Sequence, residues 1–347
     1  MKRPGLVLLL VGLLTLGAQP CASQPQLLGD IDPGQFGLAK FRHVIRCVTE
    51  WRGRTWVGTY GSGLFAIGND GVQQFLTSNS PLLENRVNVL TTCKDELWIG
   101  TCAGFNIYDG KSWRSQTKKD GLADNIYHAV LTDSKDCVWA GTAGAGVSKF
   151  EGGKWRNYGA ADGLTDGWVN GMVFDRAGTL WVACLHRVFR FDGKRFVEER
   201  ARFRRLPASP TSIAARDGEV WCGSAFSALA MWQGGVWYMP EHRWLFPTVQ
   251  VNALTTDGAN RLWIGTDKGI ASYHPEEGWR SFGKDRGLVD ENIRVLYYAP
   301  VTKRLWAGSF LEGWVYVYDP SKDRFEGVLS AGVPVGSSSW ATRKRRE

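Results

Sequence analysis

Seven polar residues recur at matching places in seven similar segments of the sequence. They are Arg46, Asn88, His128, Asn170, Ser212, Asn252 and Arg294. The residue before each is mostly apolar, and the residue two positions later is apolar again, as in a strand that buries alternate side chains. If these strands surround one axis, their polar side chains form a ring that can hydrogen-bond a ligand. Two arginines in that ring favour a carboxylate, sulfate or phosphate.

Two structural alternatives stay open for this ring. The seven side chains can satisfy one another and ordered water, as buried polar groups must. The two arginines can also form ion pairs with Glu50, Glu291 or Glu312.

Further candidates lie in the loops and linkers next to the same strands. The loops contribute Tyr60, His186, Arg187, Asp267, Lys268, Phe310 and Glu312. The linkers contribute Trp168, His242 and Trp244. Aromatic rings beside polar groups suit sugar rings or peptide segments. We predict a ligand-binding site formed by the seven ring residues together with Tyr60, His186 and Asp267.

The sequence contains no recognisable catalytic pattern. The best acid–base pair is His128 and His186, which could face one opening from adjacent segments. No G-x-S-x-G elbow, metal-ligand spacing or phosphate-binding glycine loop occurs. We therefore predict no catalytic residues, no metal and no cofactor.

A tryptophan motif gives the chain its period. Six of its seven occurrences end in Gly-Thr or Gly-Ser, and the tryptophans are 40 to 43 residues apart, at positions 56, 98, 139, 181, 221, 263 and 306. A period near 40 with aromatic and glycine marks is typical of a blade of four short strands. We predict an all-β chain, a single seven-bladed β-propeller with four antiparallel strands per blade, over residues 44–330. Residues 24–43 are a possible closure strand.

The N-terminus has the layout of a secretory signal peptide over residues 1–23. Lys2 and Arg3 precede an apolar stretch, and small residues at Cys21 to Ser23 offer a cleavage site. The residues before Cys21 do not match a lipoprotein signal, so lipid anchoring is not expected. No later segment approaches the roughly 18 apolar residues of a transmembrane span. We expect a periplasmic or secreted protein.

Charge and cysteine content exclude further classes. The formal net charge is +8. The signal contains two basic residues, and the basic tail 331–347, predicted to be disordered, contains four basic residues and one acidic residue, which leaves +3 for the propeller. That value is too small for a nucleic-acid footprint. Six cysteines follow the signal at irregular spacing, which leaves their disulfide state open.

The repeats resemble a known family. Val251-Asn-x-Leu-Thr-x-Asp257, Leu262-Trp-Ile-Gly-Thr266 and Gly269-Ile-x-x-Tyr273 are similar to the two-component regulator propeller repeat, as are linkers such as Asp120-Gly-Leu. In that family the repeats form the periplasmic sensor of bacterial hybrid sensor kinases. Family sensors continue into a further β-domain, a membrane span and a kinase. Only a short tail follows the seventh repeat here, so we expect any signal to pass through a separate partner.

The resemblance and the polar ring together predict an exported, monomeric, sensor-like binding module. It would recognise a small polar or anionic ligand, an envelope protein or a separate sensor kinase at the opening of the central channel. One alternative is a protein-interaction scaffold. Another is an enzyme similar to the streptogramin lyases, which are propellers whose metal-assisted chemistry uses a histidine and acidic residues.

Overall fold

The structure, a computed structural model, describes residues 44–199, 209–225, 229–239, 250–330 and 333–334. Within these ranges the strands form seven antiparallel sheets, and within each sheet the strands follow one another in chain order. This confirms the predicted seven-bladed all-β propeller. The predicted signal peptide, the segment 24–43, and His242 and Trp244 lie outside the described residues.

The first four blades contain sixteen strands. The first has β1 (Ile45–Trp51), β2 (Arg54–Thr59), β3 (Leu64–Gly68) and β4 (Gly71–Phe75). The second has β5 (Val87–Cys93), β6 (Glu96–Thr101), β7 (Phe105–Tyr108) and β8 (Trp113–Gln116). The third has β9 (Tyr127–Thr132), β10 (Val138–Thr142), β11 (Val147–Glu151) and β12 (Lys154–Tyr158). The fourth has β13 (Val169–Phe174), β14 (Leu180–Cys184), β15 (Val188–Phe191) and β16 (Phe196–Glu199).

The last three blades contain thirteen strands. The fifth has β17 (Pro210–Arg216), β18 (Glu219–Ser224), β19 (Leu229–Gln233) and β20 (Val236–Tyr238). The sixth has β21 (Val251–Thr256), β22 (Leu262–Thr266), β23 (Gly269–His274) and β24 (Gly278–Phe282). The seventh has β25 (Ile293–Ala299), β26 (Arg304–Ser309), β27 (Trp314–Asp319), β28 (Arg324–Ser330) and β29 (Val333–Pro334). Three-residue 3₁₀ turns lie at Lys118–Asp120, Ala160–Asp162 and Lys284–Arg286.

The tryptophan motif builds the contact between blades. The Trp side chains of β6, β14, β18 and β26 are among the most deeply buried of the described residues. A Cβ added to Gly308 would come within 2.5 Å of Ile45 Cγ2 in the first blade, so only glycine lets the two blades approach this closely. The threonine that ends the motif closes the next loop: Thr266 Oγ1, for example, donates to Gly269 O at 2.8 Å.

The first strand of each blade lies nearest the axis, and these seven strands pack side by side around it. β1 packs against β25, which closes the ring between the first and seventh blades. Ile45 and Val57 share one hydrophobic cluster with Trp306 and Val315 across this seam. Glu50 also stabilises the contact between these two blades, because it accepts hydrogen bonds from Trp306 Nε1 at 2.7 Å and Thr302 Oγ1 at 2.6 Å.

The outer edge of the seventh blade pairs with a C-terminal strand. β29 is antiparallel to β28 and adds a fifth strand to this sheet. It lies inside residues 331–347, which the sequence predicts to be a tail. The alternative closure, by residues 24–43, remains a prediction because that segment lies outside the described residues.

Candidate functional site

A β-bulge at the start of each innermost strand creates the ring of polar side chains. In every first strand the pairing with the second strand skips one residue, so that residue is extra to the ladder. The bulge residues are Arg46, Asn88, His128, Asn170, Thr211, Asn252 and Arg294. Six of these are the residues predicted from sequence.

The fifth blade departs from the predicted alignment by one residue. Pro210 pairs with Ser224 and Ser212 pairs with Gly223, so Thr211 is the bulge residue and Ser212 belongs to the ladder. Ser212 is buried, and its Oγ has no hydrogen-bond partner within the described ranges. Counting back from the hairpin would have found the register, since Thr211 precedes Arg216 by five residues just as Arg46 precedes Trp51.

The loops after the second strands lie at the same end of the channel as the bulges. Tyr60 N donates to Val44 O at 3.0 Å, and Phe310 N donates to Asn292 O at 2.8 Å. In the sixth blade the equivalent hydrogen bond runs from Asp267 N to Gln250 O at 3.3 Å. Each bond therefore connects a loop to the residue two positions before a bulge. We call this end, with its bulge residues and adjoining loops, the mouth.

In blades four to six, the bulge residue of each blade is bonded to the next blade. Each side chain donates to the carbonyl that precedes the following bulge. These bonds run from Asn170 Nδ2 to Pro210 O (2.7 Å), from Thr211 Oγ1 to Val251 O, and from Asn252 Nδ2 to Ile293 O (3.0 Å). We call these three residues the bonded arc. These three side chains therefore bond to the backbone of the next blade rather than to one another.

Blades seven and one differ, and we call Arg294 and Arg46 the cationic arc. Arg294 Nη1 donates to Asn252 Oδ1 at 3.1 Å, while its Nε is buried without a partner in the described part of the chain. Arg46 is half-buried, and it forms no hydrogen bond or ion pair with any described residue. Two guanidinium groups therefore lie at adjacent bulges with unused donors.

The acidic residues considered as partners for these arginines bond elsewhere. Glu50 accepts from Trp306 and Thr302 at the seam. Glu291 Oε1 accepts from Lys284 N at 3.0 Å, and Glu312 Oε2 accepts from Trp314 Nε1 at 3.1 Å. Among the described residues, no carboxylate forms an ion pair with either guanidinium of the cationic arc.

Burial and mutual repulsion act on the charges of the mouth. Burial lowers the pKa of Arg46 and of Arg294, and the charge of Arg46 lowers the pKa of Arg294 further, although both stay protonated at any physiological pH. Burial, followed by the charge of Arg46, lowers the pKa of His128 from its ordinary 6.5 to about 4. His128 is therefore neutral near pH 7.

The four remaining predicted residues have separate roles. Asn88 is buried and donates to Cys102 Sγ at 3.4 Å. The Tyr60 ring lies 5.9 Å from the Arg86 guanidinium. Asp267 Oδ1 accepts from Gln250 N at 2.9 Å, and its charge raises the pKa of Arg294.

His186 lies at the exposed edge of the mouth. Its side chain is 70% exposed, and its Nδ1 is 3.6 Å from an Asp166 carboxylate oxygen. His128 instead packs its ring against Trp168, with centroids 5.7 Å apart. No contact between described residues joins His128 to His186, so the structure does not bring the two histidines together as an acid–base pair.

The cysteines of the described ranges are thiols. All six, from Cys47 to Cys222, are buried, and none forms a disulfide with another. In the same ranges no group of three or more His, Cys, Asp or Glu side chains could hold a metal ion. Burial raises the pKa of the Cys47 and Cys222 thiols to about 12, which keeps them protonated and unreactive.

A second concave region lies at the opposite end of the first three blades. This groove of about 700 Å³ is lined by charged residues of both signs. Four of those charges form two ion pairs: Arg52 Nε donates to Asp95 Oδ1 at 3.0 Å, and Arg114 Nη1 donates to Glu96 Oε1 at 2.6 Å. The groove therefore combines paired charges of both signs, whereas the charges at the bulges of the mouth are cationic.

Solved structures of other proteins share this fold. The extracellular domain of a putative hybrid two-component system from B. thetaiotaomicron matches with a TM-score of 0.65 at 17% identity, over 77% of this chain and 37% of that one. A second such domain from the same organism matches with a TM-score of 0.57 at 15% identity, over 82% and 46%. The chain thus spans less than half the length of these relatives.

Virginiamycin B lyase from Staphylococcus aureus is also similar, with a TM-score of 0.62 at 12% identity over 78% of this chain and 93% of that one. These identities show the fold alone. No family model and no curated protein matches the sequence. Among the residues that the structure describes, no helix has the length and apolar character needed to cross a bilayer.

Proposed function

We propose that this chain is an exported, sensor-like module that binds a small anion at the mouth of its propeller. The observation that carries this proposal is the cationic arc: Arg46 and Arg294 lie at adjacent bulges, partly withdrawn from water, without a carboxylate partner among the described residues. Withdrawing a charge from water is costly unless it is paired. A bound anion would supply the missing countercharge to both guanidinium groups.

Two further observations support a sensor-like role. The repeat motifs resemble those of the two-component regulator propeller family, and propellers of extracellular two-component domains have the same fold. We further propose that a partner, such as a sensor kinase or another envelope protein, passes on the response. The structure offers no observation that favours the lyase-like alternative over binding.

Isothermal titration with acetate, sulfate, inorganic phosphate and citrate tests the proposal. We expect at least one anion to bind with an affinity that falls tenfold or more in Arg46→Gln and in Arg294→Gln, because each variant removes one guanidinium. Arg176→Gln is the matched control, since Arg176 is 84% exposed and pairs with Asp217 away from the mouth. Equal affinity in the wild type and both mouth variants would overturn the proposal.

A protein-interaction scaffold makes a different prediction. Binding of an envelope protein to a scaffold surface would survive both Arg46→Gln and Arg294→Gln. Pull-down of the three variants from the same envelope extract separates this outcome from anion binding.

A further inference from the structure

The guanidinium of Arg294 is held by contacts on one donor and one face. Asn252 is fixed by its bond to Ile293 O, and its Oδ1 in turn accepts from Arg294 Nη1. The Arg294 Cζ lies 4.6 Å from the centroid of the Phe310 ring, which covers one face of the group. Its Nε is buried and has no hydrogen-bond partner in the described ranges, so the positive charge is only partly satisfied. A fixed guanidinium next to a second guanidinium suits an oxyanion.

A small apolar cluster lies near the bulges of blades two to four. Cys102, Ile126 and Ala143 form a buried cluster, and Trp168 packs on it as a partly buried ring. These residues belong to blades two, three and four, immediately before or after their bulges and loops. The cationic and the apolar sides therefore meet at one opening.

Trp168 is positioned by its backbone. It forms a β-bridge with Ala143 of the third blade, and its carbonyl accepts from Leu185 N at 2.9 Å within the fourth blade. Its ring meets His128 edge-on, which leaves the ring only partly covered. A half-covered aromatic ring with a fixed backbone offers a flat apolar surface at little cost in ordering.

The two sides belong to one ring of bulges. Arg46 is the bulge residue of the first blade and His128 that of the third, and the His128 ring centroid lies 5.7 Å from that of Trp168. Trp168 therefore lies at the same end of the channel as the cationic arc.

We infer that the ligand of this mouth is an aromatic oxyanion, with its carboxylate or phosphate at Arg294 beside Arg46 and its flat apolar body against Trp168. This inference rests on the proposed function, because it assigns a ligand class to the same site. Asn252 and Phe310 act as positioning residues for Arg294. The shared chemistry covers aromatic carboxylates and aryl phosphates, and the probes below distinguish them.

Isothermal titration of the full chain with indole-3-acetate, acetate and indole tests the inference. We expect indole-3-acetate to bind at least tenfold more tightly than acetate, and indole alone to bind no better than acetate. Phenyl phosphate and inorganic phosphate, compared in the same way, show which oxyanion the site prefers. A tenfold advantage for the aromatic member of either pair supports the inference.

Variants separate the two parts of the ligand. Trp168→Ala should reduce the affinity for the aromatic probe at least tenfold more than the affinity for acetate, whereas Trp168→Phe should retain part of the aromatic advantage. Arg294→Gln should weaken all anions alike. Trp113→Ala is the matched control, because Trp113 is a partly buried tryptophan that stacks on Tyr108 in the outermost strand of the second blade.

The possible failures are distinct. If acetate and indole-3-acetate bind equally well and both depend on Arg294, the inference is wrong and the proposed function stands. If Trp113→Ala reduces the aromatic advantage as much as Trp168→Ala does, the assignment of the apolar side is wrong. If no anion binds in an Arg294-dependent manner, both the inference and the proposed function are wrong.

Discussion

The residues of the bonded arc and of the cationic arc occupy equivalent backbone positions, but they differ in their hydrogen bonds to the adjacent blades. In the bonded arc, Asn170, Thr211 and Asn252 each donate to a carbonyl of the next blade. In the cationic arc, Arg46 bonds to no described residue, and Arg294 bonds backwards to Asn252. Short side chains reach the adjacent backbone, whereas the long arginine side chains extend past it.

Within one ring, the bonded arc therefore contributes to the stability of the fold, and the cationic arc is the part that we propose binds a ligand. A hydrogen bond to the next blade satisfies a buried donor and stabilises the fold. A partly buried guanidinium without a countercharge destabilises the fold, and a bound anion would remove that cost. The predictions below change one arc at a time and begin with the largest expected effect.

Acidification should destabilise the protein through His128, which lies between the two arcs. Its pKa is about 4 in the folded chain and ordinarily 6.5, so the unfolded chain takes up the proton first as the pH falls. The free energy of unfolding therefore has its full value above pH 6.5. It falls between pH 6.5 and 4, by up to about 3 kcal/mol, because the unfolded chain binds a proton that folded His128 does not. Urea unfolding of the wild type and His128→Asn at several pH values measures this. Parallel pH profiles for the two proteins would contradict the assignment.

Removing Glu50 should weaken the contact between the first and seventh blades, the two blades that carry the cationic arc. Glu50→Ala deprives the buried Trp306 Nε1 of its acceptor, and we expect the free energy of unfolding to fall by about 2 kcal/mol. Chemical denaturation measures the loss. Glu326→Ala, which breaks an exposed pair with Lys322, is the control and should cost less than about 0.5 kcal/mol.

Substitution in the bonded arc should reduce stability and leave anion binding intact. Thr211→Val removes the hydroxyl that donates to Val251 O, and we expect a loss of about 1 kcal/mol. Ser212→Ala is the matched control, because the Ser212 hydroxyl has no partner in the described ranges and its removal should cost nothing. If Ser212→Ala costs more than Thr211→Val, the bulge register described above is wrong.

Neutralising the cationic arc should have the smallest effect on stability. Arg46→Gln removes a half-buried charge without a described partner, so the melting temperature should stay the same or rise by an amount that corresponds to about 1 kcal/mol or less. Differential scanning calorimetry without added anions checks this. A clear loss of stability would show that Arg46 has a structural partner after all.

Sequence reasoning could predict the blades because each part of the tryptophan motif has a local physical role that recurs with the period. It could also predict six of the bulge residues, because each is a polar residue next to the apolar residues of a first strand, and this pattern can be read from the sequence. Thr211 was missed because two adjacent hydroxyl residues look alike until pairing with Gly223 fixes the register.

The division into arcs could not be predicted from sequence. Asn170 and Arg46 are both polar ring residues in the alignment, and only the position of a carbonyl some 40 residues later in the chain shows that Asn170 is satisfied. Likewise, the partners of Glu50 lie at the far end of the chain and become its neighbours only when the ring closes.

The repeated bulge also bears on how such a protein diversifies. Because the bulge residue is extra to the ladder, exchanging it leaves the pairing of the two strands unchanged. Duplication of a blade therefore copies a position whose side chain can change without altering the strand ladder. Seven such positions around one axis would let a lineage of propellers acquire new ligands through single substitutions while the architecture is conserved.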